Sequence, residues 1–519
     1  MTIPLFRINR RQMLAGTVGL AAGAAAGAPF AATPAYASTP KRGGQFRFAI
    51  VGASTADTLD PATFADIAPG MMSWNSRSNL VELGPDLKLK PELAESWEGT
   101  DGGRKWVFRL RQGVEFHNGK TLEAEDVLFS LNHHLKPDSK SAIKSMLADI
   151  SEIKADGKFG LIITLKEPNA DFPYVLADYH AQIVPHNTTD FGDGVGTGPY
   201  VMKSFEPGVR WTGSRNPNYF KEGHGNFDEV DCRAIADSTA RMNALLAGEL
   251  DAVMFVDLKT LSMIESNPSV RVLKVASGTH MTLPMNMGLQ PFDNRDVRLA
   301  LKYAIDREEI VEKVLNGNGE VANDHPISPL SPYFNSELPQ KTFDPDKARF
   351  HLKQAGLSDM KVPLSASNII LEAGEAVADL YSASALKAGI TIEVVREPAD
   401  GYWSNVWQKK PWCQSYFGTR PTPDGIFSLA YASDAPWNES FIRNADFDSL
   451  LRQGRSELDE AKRKAIYGEM QRILSDDGGT VIPFFASSID ATSDKVATGE
   501  VSGNLNMDGG RAADRWWFT

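Results

Sequence analysis

The first part of the chain alternates short apolar runs with amphipathic stretches. The apolar residues within 45–51 suit a first buried strand, and residues 106–111 alternate apolar and charged side chains as a half-buried strand does. A helix with one apolar face is expected to begin near Glu123, and the apolar run 160–165 has the length of another strand. Strand-like segments thus follow one another in alternation with helix-like segments, and this succession predicts an α/β protein.

The same alternation continues towards the C-terminus. Helices are predicted over three further segments: residues 239–247, 296–315 and 456–474. Gly248 would end the first helix, and Ser456 with Asp459 offers the spacing of a capping box for the third. A helix over residues 375–388 is followed across a glycine by the strand 390–395, the pattern of an αβ unit in a mixed or parallel sheet. The sequence contains no internal repeat.

The N-terminal 37 residues differ in character from the rest. An almost uncharged stretch from residue 13 to residue 32 is rich in Ala and Gly, and a small-residue triplet ending at Ala37 follows it. Three basic residues precede that stretch: Arg7, Arg10 and Arg11. This layout predicts a cleavable signal peptide over residues 1–37, too weakly hydrophobic for a stable membrane span, with cleavage after Ala37.

The pair Arg10-Arg11 indicates export by the twin-arginine route, and an ordinary secretory signal with two arginines remains the alternative. Either route leads to the periplasm of a Gram-negative cell. Residues 38–44 are expected to form a linker. Loss of the leader removes three positive charges and takes the net charge from −12 to −15, so no basic arm suited to nucleic acid remains.

Composition and motifs exclude most catalytic chemistry. The chain has 519 residues, 42% of them hydrophobic, which predicts two or more domains with large cores. The glycine spacing of residues 113–121 does not fit a phosphate loop, and the histidines lack the spacing of metal ligands. No nucleophile motif is present. Cys232 and Cys413 are interpreted as inert thiols. We therefore expect no enzyme, no cofactor and no metal, with a periplasmic hydrolase as the weakest alternative.

Several segments, in order, resemble the bacterial extracellular solute-binding proteins of family 5, which serve importers of peptides, nickel and opines. They span nearly the whole chain after the leader: residues 58–61, 89–98, 106–119, 123–127, 196–200, 291–307, 467–474 and 481–485. Most of these residues, taken one by one, would hold the fold rather than a ligand.

The resemblance implies an α/β, bilobal periplasmic binding protein fold of type II with an extra domain inserted in the first lobe. The implied boundaries are as follows: lobe I at 42–80, 196–285 and 490–519, the extra domain at 81–195, and lobe II at 286–489. It also implies a monomer that closes around a solute and delivers it to ABC transporter permease subunits with cytoplasmic ATPases.

The resemblance places the ligand site in an aromatic-rich part of lobe II. The predicted ligand-binding residues are Trp403, Trp407, Tyr416, Phe417, Gly418, Thr419, Arg420, Asp424 and Asn286. Peptide-binding relatives commonly carry an Asp after the equivalent of Gly418 that pairs with the ligand ammonium, and here that position is Thr419. Asp424 is the candidate to replace it, whereas Arg420 would attract a carboxylate or phosphate.

These features leave the solute open among several classes. A peptide or peptide-like solute comes first because of the family. An opine, amino-acid conjugate or sugar derivative is the alternative because of Thr419 and Arg420, and nickel complexes come third. Aromatic side chains such as Trp403 and Trp407 could stack on a sugar ring or cover an apolar group.

Overall fold

A seven-stranded mixed sheet organises the N-terminal part of the computed structural model, which describes residues 40–519. The predicted signal peptide lies outside the described residues. In spatial order the strands are Val270–Val275, Ser488–Ser493, Ala252–Val253, Gln45–Ile50, Glu229–Ala234, Arg210–Arg215 and Tyr200–Glu206. Gln45–Ile50 is parallel to both of its neighbours, and the other pairs are antiparallel.

The predicted first strand is confirmed. It lies at the centre of this sheet, and its side chains pack into hydrophobic cores on both faces. Phe46 stacks on Phe227 at a ring distance of 4.4 Å, while Ala49 packs into a separate core on the other face. Three helices accompany the sheet: Ile67–Trp74, Ser238–Leu246 and Leu261–Glu265. The second confirms the helix predicted at 239–247, which gives way to Gly248 with a positive φ of 73°.

A four-stranded antiparallel sheet is formed within residues 94–165. Its strands in spatial order are Ala94–Thr100, Lys105–Leu110, Gly160–Leu165 and Ile150–Ala155. Helix Ala124–Leu135 packs on it and begins at Glu123, whose side chain forms a capping box with Asp126. The short elements nearby are the hairpin strands Val81–Leu83 and Leu89–Pro91 and the helices Lys144–Leu147 and Phe172–Val175. This region has its own hydrophobic cluster, which includes Trp106 and Phe108.

A five-stranded sheet and a separate parallel pair lie in the C-terminal half. The five strands are Gly319–Val321, Phe484–Ala486, His280–Pro284, Ser415–Phe417 and Thr480–Val481, and the pair is Met360–Ala366 with Ile390–Arg396. The helices are Arg295–Ala304, Arg307–Val314, Pro345–Gln354, Gly374–Leu386, Tyr402–Asn405, Pro423–Ala430, Ala445–Ser456 and Glu460–Asp477. The C-terminal residues add strands Val496–Ala497 and Trp517–Phe518 and helices Asn506–Gly509 and Ala512–Arg515.

Two of the predicted helices need correction, and one is confirmed. The single helix predicted over 296–315 is two helices, because the Asp306 side chain accepts from the Glu309 N–H and caps a new helix. The helix predicted from Ser456 begins instead after Asp459, which accepts from the Lys462 N–H, while Ser456 ends the preceding helix. The predicted αβ unit at 375–395 is confirmed by Gly374–Leu386 and its following strand.

The chain passes between the seven-stranded and five-stranded sheets through two short connections near the site. Strand Val270–Val275 leads through residues 276–279 into His280–Pro284, and strand Phe484–Ala486 leads through Ser487 into Ser488–Ser493. The predicted partition leaves 280–284 in lobe I, whereas this strand pairs within the five-stranded sheet. The lobe boundaries otherwise stay a prediction.

Cys232 and Cys413 are both free and buried, and burial raises the pKa of each thiol. They belong to different sheet regions, so the interpretation as unreactive thiols agrees with their surroundings. Among residues 40–519, no helix is long and apolar enough to cross a membrane.

Candidate functional site

Five aromatic side chains adjoin one another beside the outer strand Ser415–Phe417, and we call them the aromatic wall. They are Trp403, Trp407, Tyr416, Phe417 and Trp437. Neighbouring ring centroids lie 5.9–6.2 Å apart, mostly in edge-to-face or tilted arrangements. Trp403 and Tyr416 are each 39% exposed and Trp437 is 41% exposed, so three rings keep surface on which an incoming apolar group can pack.

A buried carboxyl group fixes the indole of Trp407. The Trp407 Nε1–H donates to Glu439 Oε1 at 2.6 Å, and the Thr282 hydroxyl donates to Glu439 Oε2 at 2.9 Å. Burial raises the pKa of Glu439 to about 7, against the opposing effect of these donors. Both halves of the carboxyl group are therefore occupied, which makes Glu439 a support of the wall rather than a free anion.

A pocket lies beyond the wall, where strand Ser415–Phe417 ends. It encloses about 320 Å³ of empty space, part of which is open to solvent. Its lining comes from four separate parts of the chain, and the lining residues are Leu87, Gly278, His280, Pro326, Ile327, Ser328, Ser331, Gly418, Arg420, Thr422, Pro423 and Ile426. Gly418 leaves open space at this point, since a Cβ built there would meet no atom within 4 Å.

Thr419 contacts the connection between the two sheets. Its hydroxyl oxygen accepts from the Gly278 N–H at 2.9 Å and lies 3.4 Å from the Ser277 hydroxyl. A Cβ at Gly278 would lie 3.1 Å from Thr419 Cγ2 and 3.4 Å from Thr419 Cα, so the two segments approach closely here. Thr419 thus holds residues 276–279 against the pocket.

Arg420 lines the pocket without a direct partner. Within the part of the chain that the structure describes, its guanidinium forms no hydrogen bond and no ion pair. Desolvation lowers the pKa of Arg420, and the nearby groups Asp178 and Tyr179 oppose that effect. The Asp178 carboxylate accepts from the His180 ring at 2.6 Å, so it is already engaged. Arg420 is nevertheless an exposed residue, so its unpaired guanidinium can reach an anion that enters the pocket.

Of the nine predicted ligand residues, only Gly418 and Arg420 line this pocket. Four others form part of the aromatic wall and Thr419 borders the pocket through Gly278, whereas Asp424 and Asn286 are engaged elsewhere. Asp424 is buried, and its carboxylate accepts from the Arg455 Nε–H at 3.0 Å, so it already has a cation within the protein and does not offer a free anion as expected. Asn286 follows the far end of strand His280–Pro284, where its side chain accepts from the Gly288 N–H. Gly278 and Thr419 meet at the opposite end of that strand.

Sequence reasoning missed most of the pocket lining, and among the residues it missed are His280 in the pocket and Trp437 and Glu439 at the wall. The burial of His280 and its place in the pocket depend on the pairing of its strand with Ser415–Phe417. Trp437 and Glu439 follow helix Pro423–Ala430 in a loop, where an aromatic and an acid two positions apart give little signal by themselves.

Comparison with known proteins identifies the chain. The model described as "Bacterial extracellular solute-binding proteins, family 5 Middle" matches residues 88–439, more than half of the sequence. The chain belongs to this family. Proteins of family 5 are the solute-binding components of ABC importers, and at that level the function predicted from the resemblance is confirmed.

The relatives of this family 5 protein differ in what they bind. Heme-binding protein A of Haemophilus influenzae is 26% identical over 435 residues, which cover 74% of this chain and 77% of that protein. The glutathione-binding protein GsiB of Escherichia coli K12 is 25% identical over 454 residues, or 81% of this chain and 85% of GsiB.

A solved structure shows the fold of the family 5 chain. HbpA2 from Haemophilus parasuis superimposes with a TM-score of 0.80 and 21% identity, covering 92% of this chain and all of that one. The predicted bilobal α/β periplasmic binding protein fold of type II is confirmed, while the extra domain within the first lobe stays a prediction.

Proposed function

We propose that the protein is exported to the periplasm of a Gram-negative cell and there binds a peptide or peptide-like solute, which it delivers unchanged to ABC transporter permease subunits driven by cytoplasmic ATPases. It would act as a monomer after removal of residues 1–37, without cofactor, metal or catalysis. The family assignment carries this proposal, because it covers residues 88–439, which include the whole aromatic wall and every lining residue of the pocket except Leu87.

The chemistry around the pocket supports a solute with mixed character. The exposed rings of the aromatic wall can cover an apolar side chain, and the pocket beside them contributes Arg420 together with the open space at Gly418. A peptide offers apolar side chains, amides and charged ends in one molecule. The similarity to GsiB is consistent with this class, since glutathione is itself a tripeptide.

The lobes proposed from the sequence would close by bending at residues 276–279 and at Ser487. These connections are short, and Thr419 joins one of them to the pocket through the Gly278 N–H. Closure would exclude water from the pocket, which strengthens each polar contact with the solute.

The proposal is tested by purifying the protein from the periplasm after expression with its own leader. N-terminal sequencing should give Ser38, and native mass spectrometry should detect an intact small solute that is lost on partial unfolding. Peptides added to solute-free protein should raise Tm with a dependence on RT ln(1 + [L]/Kd). Stabilisation by opines or sugars but by no peptide would favour the alternative class, and conversion of the solute during incubation would contradict a binding role.

A further inference from the structure

His280, which lines the pocket, carries a buried hydrogen-bond acceptor that no other group among residues 40–519 uses. His280 is 1% exposed, and its Nδ1 lies 2.8 Å from the Gly278 carbonyl oxygen. A carbonyl oxygen can only accept, so the ring proton must be on Nδ1. Burial lowers the pKa of His280 to about 4, and the ring is therefore neutral near pH 7. Nε2 then carries a lone pair.

This Nε2 atom has no hydrogen-bond partner among residues 40–519, although it is buried and its residue lines the pocket. Buried polar atoms are nearly always paired, so an orphaned acceptor beside a pocket requires an explanation. The rings of Phe417 and Phe485 lie 5.8 Å and 5.5 Å from the His280 ring and offer no conventional donor. A solute that presents an N–H or O–H group would supply one.

Arg420 sets a second requirement for a solute of this pocket, which concerns its charge. It is a cation without a direct partner, and it lies near enough to His280 to disfavour a positive charge on that ring. An ammonium group placed beside Arg420 would be repelled, whereas a carboxylate would gain charge-assisted hydrogen bonds from the guanidinium. The pocket is thus suited to an anion and a neutral donor, and unsuited to a free amino terminus.

A carboxylate with a neutral N–H one carbon away is the arrangement at the C-terminal residue of a peptide or of an N-acyl amino acid. We propose that the pocket binds this end of the solute, with the carboxylate on Arg420 and the last amide N–H donating to His280 Nε2. This inference rests on the proposed function and refines it, because it fixes the orientation of the solute. Thr419 is consistent with it, since the hydroxyl is engaged with Gly278 and no carboxylate stands at that position.

The test compares matched sets of ligands on solute-free, full-chain protein. The probes are N-acetyl-Ala-Xaa dipeptides, with Xaa each of several apolar residues, prepared as acids, as C-terminal amides, and as esters in which oxygen replaces the last N–H. Calorimetry should show that the best acid binds about tenfold or more tightly than its amide, because the amide lacks the charge for Arg420. The ester should lose a comparable factor, because it has no donor for His280.

The variant Arg420→Gln should abolish the preference for acid over amide. Arg452→Gln is the matched control, since Arg452 is exposed on helix Ala445–Ser456 and does not line the pocket. It should leave the preference unchanged. The ester comparison changes the ligand alone and therefore does not depend on the folding of a His280 variant.

Three results would overturn the inference. Equal binding of acid and amide by the natural protein would reject the proposed orientation of the solute while leaving peptide binding intact. A requirement for a free amino terminus would do the same. Failure of every acid to bind would also reject it, and the co-purified solute would then decide separately whether the proposed function stands.

Discussion

The carboxyl group of Glu439 is the residue-scale feature from which a pH dependence can be argued. In the folded protein its pKa is raised to about 7 by burial, whereas in the unfolded chain it titrates near its ordinary value of 4.5. Between these values the folded state binds the additional proton. The contribution of Glu439 to stability is therefore greatest below pH 4.5 and is lost as the pH rises through about 7.

The variant Glu439→Gln should remove this contribution. Relative to the variant, the unfolding free energy of the natural protein should fall as the pH rises from 4.5 to 7. Above pH 7 the difference between the two proteins should remain constant. Urea unfolding at several pH values measures the difference, and groups common to both proteins cancel. Glu469→Gln is a useful control, because Arg472 lowers the pKa of Glu469 and the slope should have the opposite sign at acidic pH. A difference independent of pH would contradict the assignment.

At the same scale, Arg420 and Asp424 show that an ion-pair partner within the protein decides whether a charged side chain is available to a ligand. Both are charged residues of one segment and both were predicted to contact the solute. Asp424 has Arg455 at hydrogen-bonding distance, whereas Arg420 has no direct partner among the described residues. Only Arg420 therefore keeps its charge available to a ligand.

At the scale of elements, helix Glu460–Asp477 makes the clearest contact with the region of the four-stranded sheet. Arg463 on this helix forms an ion pair with Asp171, which precedes helix Phe172–Val175. Both side chains are buried, and the guanidinium lies over the rings of Tyr333 and Tyr467 at 5.3 Å and 5.4 Å. The preceding helix Ala445–Ser456 contacts the same segment, since the Ala170 N–H donates to the Arg455 carbonyl oxygen at 2.7 Å.

Replacement of Arg463 by Met should lower the unfolding free energy by about 3–5 kcal/mol, because it leaves the Asp171 carboxylate buried without its cation. Arg472→Met on the same helix is the control: Arg472 is exposed and pairs with Glu469, so its loss should cost about 0–1 kcal/mol. Denaturant unfolding compares the two variants. Equal and small effects would show that the buried pair does not hold these elements together.

For the whole molecule, the two connections at residues 276–279 and Ser487 are the places where the proposed lobes can move. A compact chain of the length of residues 38–519 has an expected radius of gyration of about 23 Å. The radius of gyration of the solute-free protein should exceed that of the solute-bound form, because closure brings the pocket lining together. Small-angle scattering with and without a stabilising solute measures this. An identical radius in both states, with binding proved by calorimetry, would reject closure.

The sequence determined most of the secondary structure and the family. The strand Gln45–Ile50, the helix after Glu123 and the unit at 374–396 follow from periodicity and capping, which are local properties. The aromatic residues of the wall up to Phe417 could also be predicted, because they crowd into one segment. The split at Asp306 was missed because an Asp followed by helix formers resembles a continuous helix until its capping role is considered.

Only the tertiary structure decided which of these side chains are free to act. Thr419 is engaged by Gly278, 141 positions away, and Asp424 by Arg455, 31 positions away. His280 enters the pocket through strand pairing, and Trp437 and Glu439 join the wall from a distant loop. Propensity and periodicity act over a few residues, whereas hydrogen-bond partners and desolvation are set by segments that the fold brings together. A sequence therefore identifies the charged and aromatic groups, and the fold decides which of them remain unpaired.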